Sequence, residues 1–201
     1  PIRISRTTVL RAAAFRDGWR SSRVSTHTYI FLNDIISQNR NQALAAGFPS
    51  DWNGQASDYG LDSRVVNPSG GDNFGGKYTR SFKEDLKSLP TLSIVMATED
   101  LFGRTGIYSN PNNRGAAWER PVSVELIRPG QQDGFQVNAG VRIQGGAFRR
   151  FDLTLKKSFR LVFRDEYGAT KLRYPLFGEN ATDKFDNIVL RANSNDAWPY
   201  A

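Results

Sequence analysis

The sequence predicts an α+β fold that is mostly β, and three observations lead to this prediction. Short runs rich in β-branched and aromatic residues recur along the chain, and glycine- and proline-containing turn signals separate them. A hydrophobic fraction of 39% and an aromatic fraction of 12% are enough for a packed core in 201 residues. The predicted architecture is a hairpin from an incomplete β-sandwich, followed by an antiparallel sheet.

The N-terminal hairpin is the first predicted element. Residues 7–15 and 22–31 have strand composition, and Asp17-Gly18 between them favours a tight turn. We interpret residues 1–32 as the end of a β-sandwich module whose earlier strands are missing. Residues 33–38 are expected to add a short helical turn.

A long segment follows that looks like a linker. Residues 39–80 are rich in glycine, asparagine, aspartate and serine, with prolines at 49 and 68. Such a long irregular stretch is unusual inside a compact domain. We therefore assign residues 33–84 to a linker, or to a belt that Trp52 and Tyr59 hold against the fold.

The rest of the chain, residues 85–201, is predicted as a second, mostly β domain. Ser81 and Glu84 match a capping box, which predicts a helix from Ser81 through Lys87 that stops before Pro90. A turn is expected at 100–103. Strands are expected at 91–97, 106–109, 122–127, 135–143, 158–163 and 187–191.

The charge distribution restricts the partners. The net charge is +7, and residues 142–173 alone hold nine Lys/Arg against three Asp/Glu. Residues 1–23 carry the other positive excess, and no helix-turn-helix, zinc-finger or RNP pattern accompanies it. No nucleic-acid partner is therefore expected. With no cysteine and one histidine, a zinc site is excluded, and no apolar stretch is long enough for a membrane span.

The basic segment contains the candidate binding residues. Gly145 and Gly146 lie between two predicted strands, where a glycine pair either brings backbone amides close to an anion or simply makes a turn. Lys157 shares a strand face with the apolar Phe159 and Leu161, so its ammonium needs a phosphate or carboxylate partner unless it extends to water. Lys156 alternates to the other face and is expected to be solvated.

Two arginines and two glutamates complete the candidates. Arg142 either contacts a nucleotide or a carboxylate, or lies on the exposed surface of the sheet. Arg149 lies in a polar loop, where solvated charge is the default and contact with phosphate is the less common role. Glu119 or Glu125 could pair with Lys157, although pairing with a surface arginine is favoured. Asn195-Asp196 is expected to be a helix cap.

Six motifs in order give a resemblance to a known family. The chain resembles the spore-coat protein H (CotH) kinase family over about residues 85–201, through LPTLSIV (89–95), GIYSN (106–110), WERPVSVE (118–125), GVRIQGGAFRR with KKSFRLVF (140–163), YPLFG (174–178) and LRANSND (190–196). The hairpin before it is similar to the end of a chitobiase/β-hexosaminidase C-terminal-type module. The family usually has Ser where this chain has Phe148.

The resemblance implies a kinase N-lobe-like portion of an atypical protein kinase. Such a kinase uses ATP and Mg²⁺ to phosphorylate Ser or Thr of extracellular or coat proteins, and its location would be extracellular or at the bacterial cell surface. Lys157, Arg142, Gly145, Gly146 and Arg149 would then bind the nucleotide. The metal-binding aspartates would lie further along, so this fragment itself is expected to be inactive. The alternative is a non-catalytic surface module that binds an acidic or glycan partner.

Overall fold

The computed structural model describes residues 1–192 of the chain, and the fold in this part is mostly β with a few helices. The α-helices are α1 (Leu32–Ser37), α2 (Arg40–Ala45), α3 (Lys77–Ser88) and α4 (Thr98–Phe102). The strands are β1 (Thr8–Ala12), β2 (Ser25–Tyr29), β3 (Asp51–Trp52), β4 (Gln55–Ala56), β5 (Thr91–Val95), β6 (Arg120–Ile127), β7 (Phe135–Gln144), β8 (Ser158–Val162), β9 (Leu172–Arg173), β10 (Lys184–Phe185) and β11 (Asn187–Leu190). The predicted mostly β, α+β class is confirmed.

The N-terminal hairpin forms as predicted. Strands β1 and β2 pair antiparallel, with Thr8 opposite Tyr29 and Ala12 opposite Ser25. Between them the Trp19 amide donates to the Arg16 carbonyl at 3.0 Å, and Gly18 has φ 75°. A positive φ is easily reached only by glycine, which is why the Asp-Gly pair stands here. Helix α1 confirms the helical turn expected after the hairpin.

The prediction that residues 39–80 are irregular was wrong in detail. Helix α2 begins with a reciprocal cap, in which Asn39 and Gln42 accept each other's backbone amides. Strands β3 and β4 are joined by Asn53-Gly54, with φ values of 54° and 84°. Two positive φ values are typical of the tightest hairpin turns, in which Asn-Gly is the preferred pair. The segment therefore carries local structure that polar composition concealed.

Helix α3 starts earlier than the capping-box pattern predicted. Its N-cap is Gly76, with φ 75°, and Asp72 just before it accepts the amides of Phe74 and Gly76 at 2.8 and 3.0 Å. These hydrogen bonds lower the pKa of Asp72. Ser81 lies inside the helix, where its hydroxyl donates to Asp85 instead of capping. The helix ends before Pro90, as predicted.

The main sheet has five strands in the order β11-β8-β7-β6-β5. Strand β8 is antiparallel to both β7 and β11, and the strands predicted within 91–97, 122–127, 135–143, 158–163 and 187–191 are all present. Alternation along the strands buries Val124, Val141 and Leu161 almost completely. The opposite face of β7 and β8 carries Arg142 and Arg160.

Residues 98–109 differ from prediction. The turn expected at 100–103 is helix α4, whose first turn contains Glu99 and Asp100, and acidic residues there stabilise a helix. The strand expected at 106–109 is absent. The Ile107 and Tyr108 amides instead donate to the Asp100 and Leu101 carbonyls at 3.0 and 2.8 Å, and Ile107 is buried in this turn.

The chain forms two compact units. One contains Pro1–Ser50, Ala56–Ser93 and Glu125–Gln136, and the other contains Asp51–Gln55, Ile94–Val124 and the described residues from Val137 to Ala192. The sequence-based boundaries at 32 and 84 stay predictions. In the described part of the chain, no helix has the length and apolar character needed to cross a membrane.

Candidate functional site

The glycine pair forms an open turn at the end of β7. Gly145 has φ 118°, a backbone conformation that favours glycine, and Gly146 caps a single 3-10 turn formed by Ala147–Arg149. A Cβ added at either glycine would meet no heavy atom within 4 Å. The outer surface of the turn is therefore accessible. The turn needs glycine at position 145, and both glycines leave the backbone of the turn without a side chain.

Arg149 holds this turn from inside, contrary to the expectation that it is solvated. The residue is only 6% exposed. Its guanidinium donates to the Gly145 and Pro111 carbonyls at 2.7 Å each, to the Asn113 carbonyl at 2.9 Å, and to the Ile143 carbonyl. Four of its five N–H groups are thereby used. Burial lowers the pKa of Arg149, and the positive charges of Arg114 and Arg142 act in the same direction.

Lys157 is buried as predicted, but its partners belong to its own loop. The residue is 5% exposed, and its ammonium donates to the Arg150 carbonyl at 3.0 Å and to the Thr154 carbonyl. The ammonium also lies 4.3 Å from the centre of the Phe151 ring. Burial lowers the pKa of Lys157 to about 8, and the opposing effect of Asp152 is smaller. Lys157 therefore closes the loop that follows the glycine turn.

A small cavity lies beside the glycine turn. Its volume is about 200 Å³, and it is lined by Gln144, Gly145, Gly146, Phe148, Thr154, Lys156, Ser158, Val189, Arg191 and Ala192. The lysine that lines it is Lys156, which is exposed, and not Lys157. The Ser158 hydroxyl oxygen accepts the Ala192 amide at 2.8 Å, which fixes one wall. The cavity combines basic side chains with backbone free of side chains, which suits an anion.

The sheet face next to this cavity is also basic. Arg142 lies directly opposite Arg160, and the next pair in register on the same face is Gln144 opposite Ser158, both of which line the cavity. The Nε atom of Arg160 is buried, and no described residue accepts a hydrogen bond from it. Two like charges in direct opposition destabilise a strand pair. The carboxylate of Glu119, 3.8 Å from Arg142, offsets part of that cost, and an anion near Arg160 would offset more of it.

Glu119 is the carboxylate that balances part of this charge. Its side chain is 1% exposed and lies 3.8 Å from Arg142 and 3.6 Å from Arg164. Gly140 makes room for it, because a Cβ there would come within 2.7 Å of a Glu119 oxygen and 2.5 Å of the Tyr167 ring. Burial raises the pKa of Tyr167 to about 12, and the negative charge of Glu119 adds to the effect.

Neither glutamate pairs with Lys157. Glu119 pairs with arginines, as the favoured interpretation held, although these arginines surround a buried carboxylate. Glu125 accepts the Thr28 amide at 2.7 Å and lies 3.8 Å from His27. The predicted helix cap at Asn195-Asp196 lies outside the described residues.

The predicted site residues therefore fall into two groups, those at or beside the cavity and those that hold the backbone around it. Gly145 and Gly146 line the cavity, Arg142 lies on the adjoining face, and Arg149 and Lys157 hold the surrounding backbone. Arg160 and Arg191 were not predicted as site residues. Alternation along the strand predicts that Arg160 and Phe159 lie on opposite faces of the sheet. Only the register of β7 and β8 shows that Arg160 is paired with Arg142.

No metal centre is formed by the described residues, because they contain no group of three His, Cys, Asp or Glu side chains close enough to hold an ion. No protein-family model matches the chain, and neither a curated protein nor a solved structure matches it.

Proposed function

We propose that this chain is the N-terminal part of a CotH-like atypical protein kinase, one that transfers phosphate from ATP to Ser or Thr of extracellular or coat proteins. The proposal rests on the ordered motifs in residues 85–196 and on one structural observation. That observation is the basic sheet face of Arg142 and Arg160, which adjoins the cavity at the glycine turn. We assign the nucleotide phosphates to this place.

The charges support a polyanionic ligand. Arg142 and Arg164 lie within 4 Å of the buried Glu119 carboxylate, and Arg160 lies opposite Arg142 across the strands. These three arginines thus outnumber the one acidic side chain that is buried among the described residues. Guanidinium groups match the geometry of phosphate oxygens and can donate two parallel hydrogen bonds. The Nε–H of Arg160 is buried and does not line the cavity, so Arg160 would attract a phosphate chain through its positive charge rather than through this N–H.

The size of the cavity limits which part of ATP it can hold. At about 200 Å³ it is smaller than the ~300–1,000 Å³ of sites that enclose a whole drug-sized ligand. The cavity would therefore contain phosphate oxygens near Gly145, Gly146 and Lys156, with the nucleoside outside it. Lys157 acts here as a positioning residue, since its ammonium fixes the loop at Arg150 and Thr154.

The Mg²⁺ that the resemblance implies does not fit the described residues, which offer no suitable group of carboxylates. We assign no step to it. What the described residues would do is bind and orient phosphates, because positioning and electrostatic stabilisation account for most of the catalysis of phosphoryl transfer.

Calorimetric titration of the 201-residue chain tests the proposal. We expect ATP and tripolyphosphate to bind and adenosine not to bind, with affinity falling as salt rises. Arg160→Met and Lys156→Ala should each weaken binding about fivefold to tenfold, a loss of roughly 1 kcal/mol. Lys184→Ala is the matched control, because Lys184 is exposed in the same unit and does not line the cavity. Equal affinity in all three variants would contradict the phosphate assignment.

A second candidate is a non-catalytic surface module, and Phe148 favours it. This ring is 41% exposed and lines the cavity where the resembled family usually has a small hydroxyl side chain. A large apolar ring there narrows the space for phosphate. The same titration separates the two functions. Failure of ATP and tripolyphosphate to bind, with and without Mg²⁺, would leave the surface module as the better description.

A further inference from the structure

A second cleft lies in the other compact unit, and its lining contains none of the residues assigned to the phosphates. Its volume is about 740 Å³, and it is bounded by the start of β1, the end of α1, helix α2 and the residues after it. The polar and aromatic side chains that line it include Arg6, Asp34, Gln38, Gln42, Phe48 and Tyr59. This volume lies within the roughly 300–1,000 Å³ typical of ligand sites.

One wall of the cleft is aromatic. Phe48 packs edge-to-face against Tyr59, with ring centres 5.6 Å apart, and it remains 39% exposed. The Tyr59 hydroxyl donates to the Pro49 carbonyl at 2.8 Å, and the Phe48 amide donates to the Ala43 carbonyl at 3.1 Å. The hydroxyl bond fixes the Tyr59 ring, and the amide bond fixes the backbone that carries the Phe48 ring. The negative face of an aromatic ring attracts polarised C–H groups.

The polar wall offers both donors and acceptors, and intramolecular bonds hold each group in place. Asp34 accepts the Thr7 amide through one carboxylate oxygen at 2.5 Å. Gln38 donates to the Tyr59 carbonyl at 2.6 Å, and Gln42 accepts the Asn39 amide at 3.1 Å. The second Asp34 oxygen and the Gln38 oxygen remain as acceptors, while the Gln42 NH₂ group and the Arg6 guanidinium remain as donors.

These features favour one class of ligand. The charges of Arg6 and Asp34 are opposite, so the cleft selects neither strong anions nor strong cations. Alternating donors and acceptors suit hydroxyl groups, because each hydroxyl both donates and accepts. An exposed ring suits the C–H face of a pyranose. We propose that this cleft binds a neutral oligosaccharide, with the sugar ring on Phe48 and its hydroxyl groups on Arg6, Asp34 and Gln42. Pre-formed walls reduce the entropy lost on binding.

The site is independent of the phosphate site, so each can fail without the other. Its test is a titration of the isotope-labelled 201-residue chain, followed by ¹H–¹⁵N spectra. The neutral probes are maltotriose, cellotriose and tri-N-acetylchitotriose, and the acidic comparator is trigalacturonate. We expect at least one neutral trisaccharide to shift the amides of Ala43, Phe48 and Tyr59 with saturation below about 10 mM.

Matched variants assign the binding to the cleft. Phe48→Ala should weaken the affinity at least about tenfold, whereas Phe48→Tyr should retain it. Phe15→Ala is the aromatic control, because Phe15 is 78% exposed in the same unit and does not line the cleft. Arg6→Ala should also weaken binding, with exposed Arg3→Ala as its control.

Three results would overturn the proposal. They are no saturable shift with any neutral probe, equal affinity in Phe48→Ala and the unchanged chain, and tighter binding of trigalacturonate than of every neutral probe. The ¹H–¹⁵N spectrum of Phe48→Ala itself shows whether its loss of affinity comes from misfolding, and Phe48→Tyr, which preserves the packing against Tyr59, shows whether an aromatic ring at this position is enough for binding.

Discussion

Replacing Arg149 by methionine should loosen the glycine turn and lower the stability of its unit. Methionine retains most of the volume of the side chain but none of its donors. The change leaves four carbonyls without their partner, at Pro111, Asn113, Ile143 and Gly145. Two of these bonds, those to Pro111 and Ile143, are buried, and the other two are partly buried.

The size of the effect follows from this arrangement. A buried carbonyl left without a donor costs about 1–3 kcal/mol, whereas a partly buried one recovers much of the loss by binding water. Removing a buried charge returns part of its desolvation cost. The expected net loss is about 3 kcal/mol. In a chain of this size that corresponds to a fall in melting temperature of roughly 6–12 °C.

Two measurements check this expectation. Scanning calorimetry gives the stability, and hydrogen exchange of residues 143–149 reports local opening of the turn. Arg150→Met is the matched control, because Arg150 is exposed and bonds only to the nearby Asp152 among the described side chains. It should leave both measurements unchanged. A loss below about 1 kcal/mol in Arg149→Met, with unchanged exchange, would refute the structural role given to this guanidinium.

Two further predictions concern buried groups of the same unit. The pKa of Lys157 is about 8 when folded and 10.5 ordinarily, so the unfolded chain binds more protons between these values and stability should rise with pH across this interval. Urea denaturation at several pH values should show that the free energy of unfolding rises by on the order of 1 kcal/mol in the unchanged chain and does not rise in Lys157→Met. If the two proteins differ by the same free energy at every pH, the role given to Lys157 is wrong. Gly140→Ala should destabilise by about 1–3 kcal/mol, since its Cβ would lie 2.5 Å from Tyr167, and an unchanged denaturation midpoint would show that the ring moves freely.

Local signals were sufficient for many elements of the fold. Alternation predicted the strands around Val124, Val141 and Leu161, because one face of each is buried. The Asp17-Gly18 turn similarly predicted the first hairpin. Signals of the same kind existed for Asn39 with Gln42 and for Asn53-Gly54, but the glycine-rich composition around them concealed their meaning. Burial of Ile107 in a turn depends on contacts with the end of α4, which strand propensity does not encode.

The candidate site was predictable only in part. The apolar neighbours of Lys157 on its strand predicted its burial, but carbonyls of its own loop are not visible as partners in a sequence. Arg149 was expected in solvent because its neighbours are polar. Its acceptors at Pro111 and Asn113 are brought to it only by the fold. Arg160 required the register of β7 and β8, which alternation does not determine.

The opposition of Arg142 and Arg160 has a practical consequence for the handling of this protein. The register that sets Arg142 opposite Arg160 exists only when β7 and β8 are paired, so an ion that required both arginines would bind the folded chain alone. By mass action such an ion would increase apparent stability as its concentration rises. Phosphate, sulfate and citrate buffers would then compete with any weaker ligand for the same position. Titrations in a buffer with a bulky monovalent anion would avoid this competition.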